Sequence, residues 1–167
     1  MIDTVTVRTM VEDDWDQVCV IYEEGIKTGK ATFQQTVPSW EAWDKGHLKP
    51  CRLVACQNTT IVGWVALSPV ANTCAYKGVA ELSLYVKEAV RGQGVGDHLL
   101  KTLIPQSESD GFWTLHAGII RENTASIRLH MKNGFREIGY RERVSKLNGQ
   151  WRDVLLMERR STVVGID

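Results

Sequence analysis

The sequence predicts a mixed α/β fold: a largely antiparallel sheet of about seven strands, flanked by four helices and holding one parallel crossover. Three observations point there. Runs of strand-like alternation are interleaved with segments of helical spacing. A strand at mid-chain runs directly into a glycine-rich turn and an amphipathic helix. The chain then closes on an Asn-Gly hairpin signal.

Each element has its own local reason. Residues 4–8 (TVTVR) alternate and read as the first strand. Between Asp13 and Ile26 the apolar positions Trp15, Val18, Cys19, Tyr22 and Ile26 keep a helical period, and Gly29 suits the exit. Ser39, after Pro38, is placed to cap a short helix carrying Trp40 and Trp43. Cys51–Gln57 and Ile61–Leu67 read as strands joined at Asn58-Thr59-Thr60. Val79–Val86 is a strand, followed by a glycine turn at 91–96 and a helix through about Ser109. Phe112–Ile120 reads as strand and Asn123–Lys132 as helix, with Asn133-Gly134 as its left-handed stop. Two final strands meet at Leu147-Asn148-Gly149-Gln150. With no linker, repeat or low-complexity tract, residues 1–160 form one expected domain, and 161–167 a short, frayed or lightly packed tail.

Composition excludes several classes. The 167 residues carry 20 basic and 20 acidic side chains, without the basic excess of a nucleic-acid or membrane-surface protein. No apolar run approaches the ~18 residues of a membrane helix, and the opening residues lack a signal-peptide pattern. Cys19, Cys51, Cys56 and Cys74 show no C-x-x-C spacing, and the four histidines are scattered. No metal framework is expected, and free thiols fit a cytoplasmic protein.

The most informative segment is Leu82–Leu100, in which Gly92, Gly94 and Gly96 lie between strand and helix. Glycine permits positive φ and close approach of a ligand to backbone amides. The unpaired amides and dipole of the following helix favour an anion, so the turn reads as a pyrophosphate cradle. The spacing of Gly92, Gly94 and Gly96 and their mid-chain place do not fit the dinucleotide G-x-G-x-x-G, and Asp97 and His98 after Gly96 exclude the Walker pattern.

Arg91-Gly92-Gln93-Gly94-Val95-Gly96 resembles the (Arg/Gln)-x-x-Gly-x-(Gly/Ala) acetyl-CoA loop of the GNAT N-acetyltransferase superfamily. Glu81–Val86, Asn123–His130, Asn133-Gly134-Phe135, Ala31-Thr32-Phe33 and Gly149–Val154 are similar to its phosphinothricin/methionine sulfone (sulfoximine) acetyltransferase branch, so the resemblance runs from about Val7 to Arg159. It implies the GNAT-type acyl-CoA N-acyltransferase fold, acetyl-CoA as co-substrate, no metal, direct transfer to a small primary amine, and a homodimer. It also implies that the pyrophosphate sits on amides from Gly92 to Gly96. Leu84, Tyr85 and Val86 would pair with the pantetheine arm on a splayed strand, and Asn123 and Ser126 would contact that arm.

Glu81 lies among Val79, Ala80, Leu82 and Leu84, where a carboxylate is either a buried ion-pair partner or a base with a raised pKa. The resemblance favours the base, acting directly or through a water. His130 is either a half-buried helix histidine or, by the resemblance, a proton donor to the CoA thiolate or a group orienting substrate. Phe33, Tyr76 and Trp151 are candidates for the walls of an amine pocket, Trp15, Trp64 and Trp113 for core, and Trp40 and Trp43 for core or lid. His98 reads as a surface group, and His47 and His116 have no partner identifiable from sequence. An amino-acid-like acceptor wants an arginine fork, yet the loop Pro69–Ala75 before Tyr76 carries no charge, leaving Lys77, Arg121 and Arg143 as replacements. Two other functions compete: acetylation of a protein or peptide amine, and a non-catalytic acetyl-CoA sensor.

Overall fold

The strand signals become β1 (Val5–Thr9), β2 (Leu53–Gln57), β3 (Thr60–Pro69), β4 (Val79–Val86), β5 (Thr114–Ile120), β6 (Arg136–Leu147) and β7 (Gln150–Arg160). The helical segments become α1 (Trp15–Lys27), α2 (Trp40–Gly46), α3 (Val95–Ser109) and α4 (Thr124–Lys132). This computed structural model describes residues 4–167, and the first three residues of the expected domain lie outside it. All seven strands join one sheet in the order β1-β2-β3-β4-β5-β7-β6, antiparallel except for β4 beside β5. Local chemistry behaves as read. The Ser39 hydroxyl accepts from the Ala42 amide, Asn148 and Gly149 take φ of 51° and 78° at the final hairpin, and Gly134 ends α4 at φ 85°. Two strands start two residues later than expected: β2 at Leu53, because Cys51 turns at φ 65°, and β5 at Thr114.

Alternation within the strands sorts the core into two layers. Leu53, Ala55, Val65, Leu67, Ala80, Leu82, Leu115 and Ala117 pack with Leu99, Leu100 and Leu103 of α3 and with Ile127 and Leu129 of α4. On the opposite face Val54, Trp64 and Ala66 pack under Val18, Ile21 and Tyr22 of α1 and Trp43 of α2. Trp15, Trp40 and Trp43 belong to this aromatic cluster, as does Tyr85, which stacks between Tyr22 and Trp64 with ring centroids 4.9 Å from each. The alternative of Trp40 and Trp43 as a lid therefore falls to core packing. The tail after β7 is lightly packed, with Thr162, Val163, Gly165, Ile166 and Asp167 exposed, but it is tied down at its start. Ser161 is buried and its amide donates to the Trp113 carbonyl at 2.8 Å, while Arg160 donates to the Val164 carbonyl at 3.0 Å. Among the described residues no helix is long and apolar enough to cross a membrane.

Candidate active site

The site originates in a failure of strand pairing. β4 and β5 run in register only through Val79–Thr114, Ala80–Leu115 and Glu81–His116. Beyond Glu81, β4 stays paired with β3 to Val86, and β5 stays paired with β7 to Ile120. The two strands therefore diverge, leaving the β5-facing edge of Leu82–Val86 unpaired by protein, as the resemblance implied. Two adjoining cavities occupy the split.

The first, about 450 Å³, runs along Leu84, Tyr85 and Val86 to Arg91, Gly92, Gly94, Val95 and Gly96. Gly92 and Gly94 hold φ of 77° and 88°, and neither position would crowd a Cβ, so conformation alone demands glycine there. Gly96 serves differently: a Cβ would meet the Leu129 side chain at 2.9 Å, so glycine lets α3, α4 and β4 close together. The Arg91 amide bonds to the Glu88 carbonyl and the His98 amide to Gly94, while the amides from Gly92 to Asp97 donate to no protein acceptor among the described residues. These orphaned donors at the start of a 15-residue helix fit a pyrophosphate. Arg91, Lys30 and Lys132 add positive charge around the same cavity. Gln93 is exposed and outside the cavity wall, so only its backbone belongs to the cradle.

Asp97 would oppose an anion, but it is neutralised in place by Lys101 at 2.5 Å, Lys132 at 3.4 Å and the Asn133 amide at 3.0 Å. The Lys101 hydrogen bond is the chief cause that lowers its pKa to about 2. A depressed carboxylate contributes stability above its unfolded pKa, and that contribution is lost as pH falls through the folded value. Resistance of the wild type to thermal unfolding should therefore weaken through this contribution from about pH 4 towards pH 2. The Asp97→Asn variant, followed by circular dichroism over the same range, should lack that component.

The second cavity, about 400 Å³, shares Ala31, Leu84, Tyr85, Asn123 and Ser126 with the first, so the two are continuous. Glu81, His116, His130, Phe33, Arg141 and Ser145 line it. Glu81 is not buried: its side chain is 49% exposed, and the His116 ring approaches it, with Nδ1 3.8 Å from a Glu81 carboxylate oxygen. His130 is buried at 3% exposure, edge-on to Phe135, with Nδ1 2.7 Å from the Ser126 carbonyl oxygen. A carbonyl only accepts, so Nδ1 carries the proton, and burial pushes the ring's pKa below the ordinary histidine value. The neutral ring thus presents Nε2 as an acceptor, and Nε2 has no partner among the described residues. His130 lies on the acceptor cavity with its Nδ1 committed to the Ser126 carbonyl. Asn123 performs its cap, with Oδ1 accepting from the Ser126 amide at 3.4 Å, while lining both cavities.

Other sequence candidates are displaced. Tyr76 lines a separate surface cavity with Lys77, Leu48 and Phe112, and Trp151 is exposed on the β6–β7 hairpin between Arg143 and Lys146. Neither is an acceptor-cavity wall. Arg121 is tied to Asp153 at 3.2 Å, and Lys77 and Arg143 also lie outside the acceptor cavity. Arg141, not singled out from sequence, supplies the cation instead. A bulge between Arg141 and Ser145, with Arg143 at φ 48°, breaks the β6–β7 register beside the cavity.

A splayed sheet with an orphan-amide cradle and an acid at the split defines an acyl-transferring α/β enzyme of the acyl-CoA N-acyltransferase class. The chain belongs to the Acetyltransferase (GNAT) family, whose sequence profile matches residues 13–135. It is 32% identical to the phosphinothricin N-acetyltransferase of Alcaligenes faecalis, over 92% of this chain and 81% of that protein. It is 25% identical to the L-methionine sulfoximine/L-methionine sulfone acetyltransferase of Pseudomonas aeruginosa, over 93% and 94%. A GNAT superfamily phosphinothricin acetyltransferase from Sinorhizobium meliloti, solved in complex with AcCoA, superposes with a TM-score of 0.87 at 28% identity, covering 98% of this chain and 92% of that one. The ribosomal-protein-alanine N-acetyltransferase of Brucella melitensis gives a TM-score of 0.85 at 29% identity, covering 93% and 99%.

Proposed function

We propose that this acetyltransferase moves the acetyl group of acetyl-CoA directly to the primary amine of a small amino-acid-like acceptor of the phosphinothricin, methionine sulfone or methionine sulfoximine type. The observation that carries this is the continuity of the orphan-amide groove with a cavity holding one carboxylate, Glu81, and one arginine, Arg141. Diphosphate rests on amides of Gly92–Gly96, the pantetheine arm pairs with Leu84–Val86 and meets Asn123 and Ser126, and the thioester reaches the split. Glu81 takes a proton from the acceptor ammonium, directly or through water, and freed nitrogen attacks the thioester carbonyl. His130 Nε2 accepts from the acceptor or from an ordered water and fixes its orientation. Water protonates the leaving thiolate. Phe33 covers the acceptor, and Arg141 holds its carboxylate in a two-pronged, charge-assisted hydrogen bond. The names of the curated relatives support the acceptor class.

The test is thiol release from acetyl-CoA against phosphinothricin, methionine sulfone, methionine sulfoximine, free amino acids, polyamines and short peptides. Turnover on the amino-acid-like members is expected. Turnover confined to peptides would move the acceptor to a protein amine, and silence with acetyl-CoA bound would make the chain a sensor. Arg141→Ala should raise KM for a carboxylate-bearing acceptor roughly 10–100-fold with little change in kcat, as loss of one charge-assisted pair predicts. An equal rise for a carboxylate-free amine would remove Arg141 from that role.

The enzyme is further proposed to work in the cytoplasm, which its four free cysteines support. A homodimer is supported by the exposed Ile138, Tyr140 and Val144 of edge strand β6 and by neighbouring Trp151.

A further inference from the structure

Strand register places Glu81 of β4, His116 of β5, Glu158 of β7 and Arg136 of β6 in one row across the sheet, on one face. His116 thus stands between two carboxylates. Glu158 is held by Arg136 at 3.1 Å, which leaves Glu81, at 3.8 Å, as the carboxylate available to the His116 ring. His116 Nδ1 is buried and without a hydrogen-bond partner among the described residues, although buried polar atoms are ordinarily paired. The ring is 22% exposed and lines the acceptor cavity. The remaining titratable or charged groups lining that cavity are Tyr85 from β4, His130 from α4 and Arg141 from β6.

We propose that His116 is a positioning residue for Glu81, relaying through Nδ1 the proton that Glu81 takes from the acceptor. The inference rests on Glu81 being the base. In the first transfer an ammonium N–H bond breaks, its electron pair stays on nitrogen, and an O–H bond forms on Glu81. In the second the Glu81 O–H bond breaks and an N–H bond forms at His116 Nδ1, regenerating the carboxylate. The imidazolium then returns one proton to solvent through the exposed part of its ring. Histidine suits this step because one ring nitrogen can accept a proton while the ring releases another.

The experiment compares His116→Gln, which keeps a donor but cannot carry a proton, with His116→Ala in the presence and absence of imidazole. Glu81→Gln is the control, and the acceptor is the fastest amine of the panel. His116→Gln should lower kcat/KM roughly ten-fold, less than loss of the base itself, and alter the acidic limb of its pH profile. Imidazole should restore part of the activity of His116→Ala. Independently of any acceptor, the ring nitrogen resonances of His116 should differ between wild type and Glu81→Gln. A folded, acetyl-CoA-binding His116→Gln with wild-type rate and pH profile, or unmoved resonances, would overturn the relay while Glu81→Gln still loses activity. Full activity in Glu81→Gln would instead overturn the base, and the relay with it.

Discussion

Replacing Glu81 by Gln should lower kcat by about 10²–10⁴ while leaving the affinity for acetyl-CoA unchanged. The two effects separate because Glu81 lines the acceptor cavity but not the groove that runs over the cradle. The substitution preserves shape and removes only the capacity to hold a proton. The side chain is half exposed, and His116 comes no nearer to it than 3.8 Å, so the fold loses little. Stopped-time thiol release, paired with calorimetric titration of acetyl-CoA, measures both quantities on one preparation. A variant that binds acetyl-CoA normally and turns over at the wild-type rate would assign the proton to another group. A fall in both quantities would mean that Glu81 shapes the groove.

The second large effect concerns Gly96. In Gly96→Val, branched carbon atoms would enter the contact of α3 with Leu129, Leu84 and Val86, whose side chains already lie 2.9–3.6 Å from the position of a Cβ. Overpacking of this kind costs about 1–3 kcal/mol. Here it is relieved by shifting the helix start that carries the orphaned amides. Acetyl-CoA affinity should fall roughly 10–100-fold, the loss of one or two charge-assisted hydrogen bonds. Gly96→Ala should be far milder, because the nearest atom is the movable end of Leu129, and Gly96 lies within α3 with no call for a positive φ. Calorimetric Kd values for the two variants check this. Equal losses would mean that Gly96 is required for its conformation. By contrast, Gly94 at φ 88° should resist even alanine, since strain there does not depend on space.

The sequence by itself determined the kinds and order of the elements and the character of the cradle. Ser39, the Asn148-Gly149 hairpin and the Asn133-Gly134 stop all act within a few residues, through caps and left-handed dihedrals that depend on local backbone chemistry. Gly92 and Gly94 are legible for the same reason: their role is a dihedral angle. Glu81 and His130 were reached through the resemblance, with their burial left open. The tertiary structure decided what each of them faces. It put Glu81 at the water-accessible split and not in an apolar pocket. It committed His130 Nδ1 to the Ser126 carbonyl. It sent Tyr76 and Trp151 away from the acceptor cavity, and brought in His116 and Arg141 from strands distant in sequence. It also showed that Gly96 answers to Leu129. These outcomes depend on the register and divergence of non-neighbouring strands. Period-two patterning tells which residues share a face of one strand, but pairing between strands sets which faces meet.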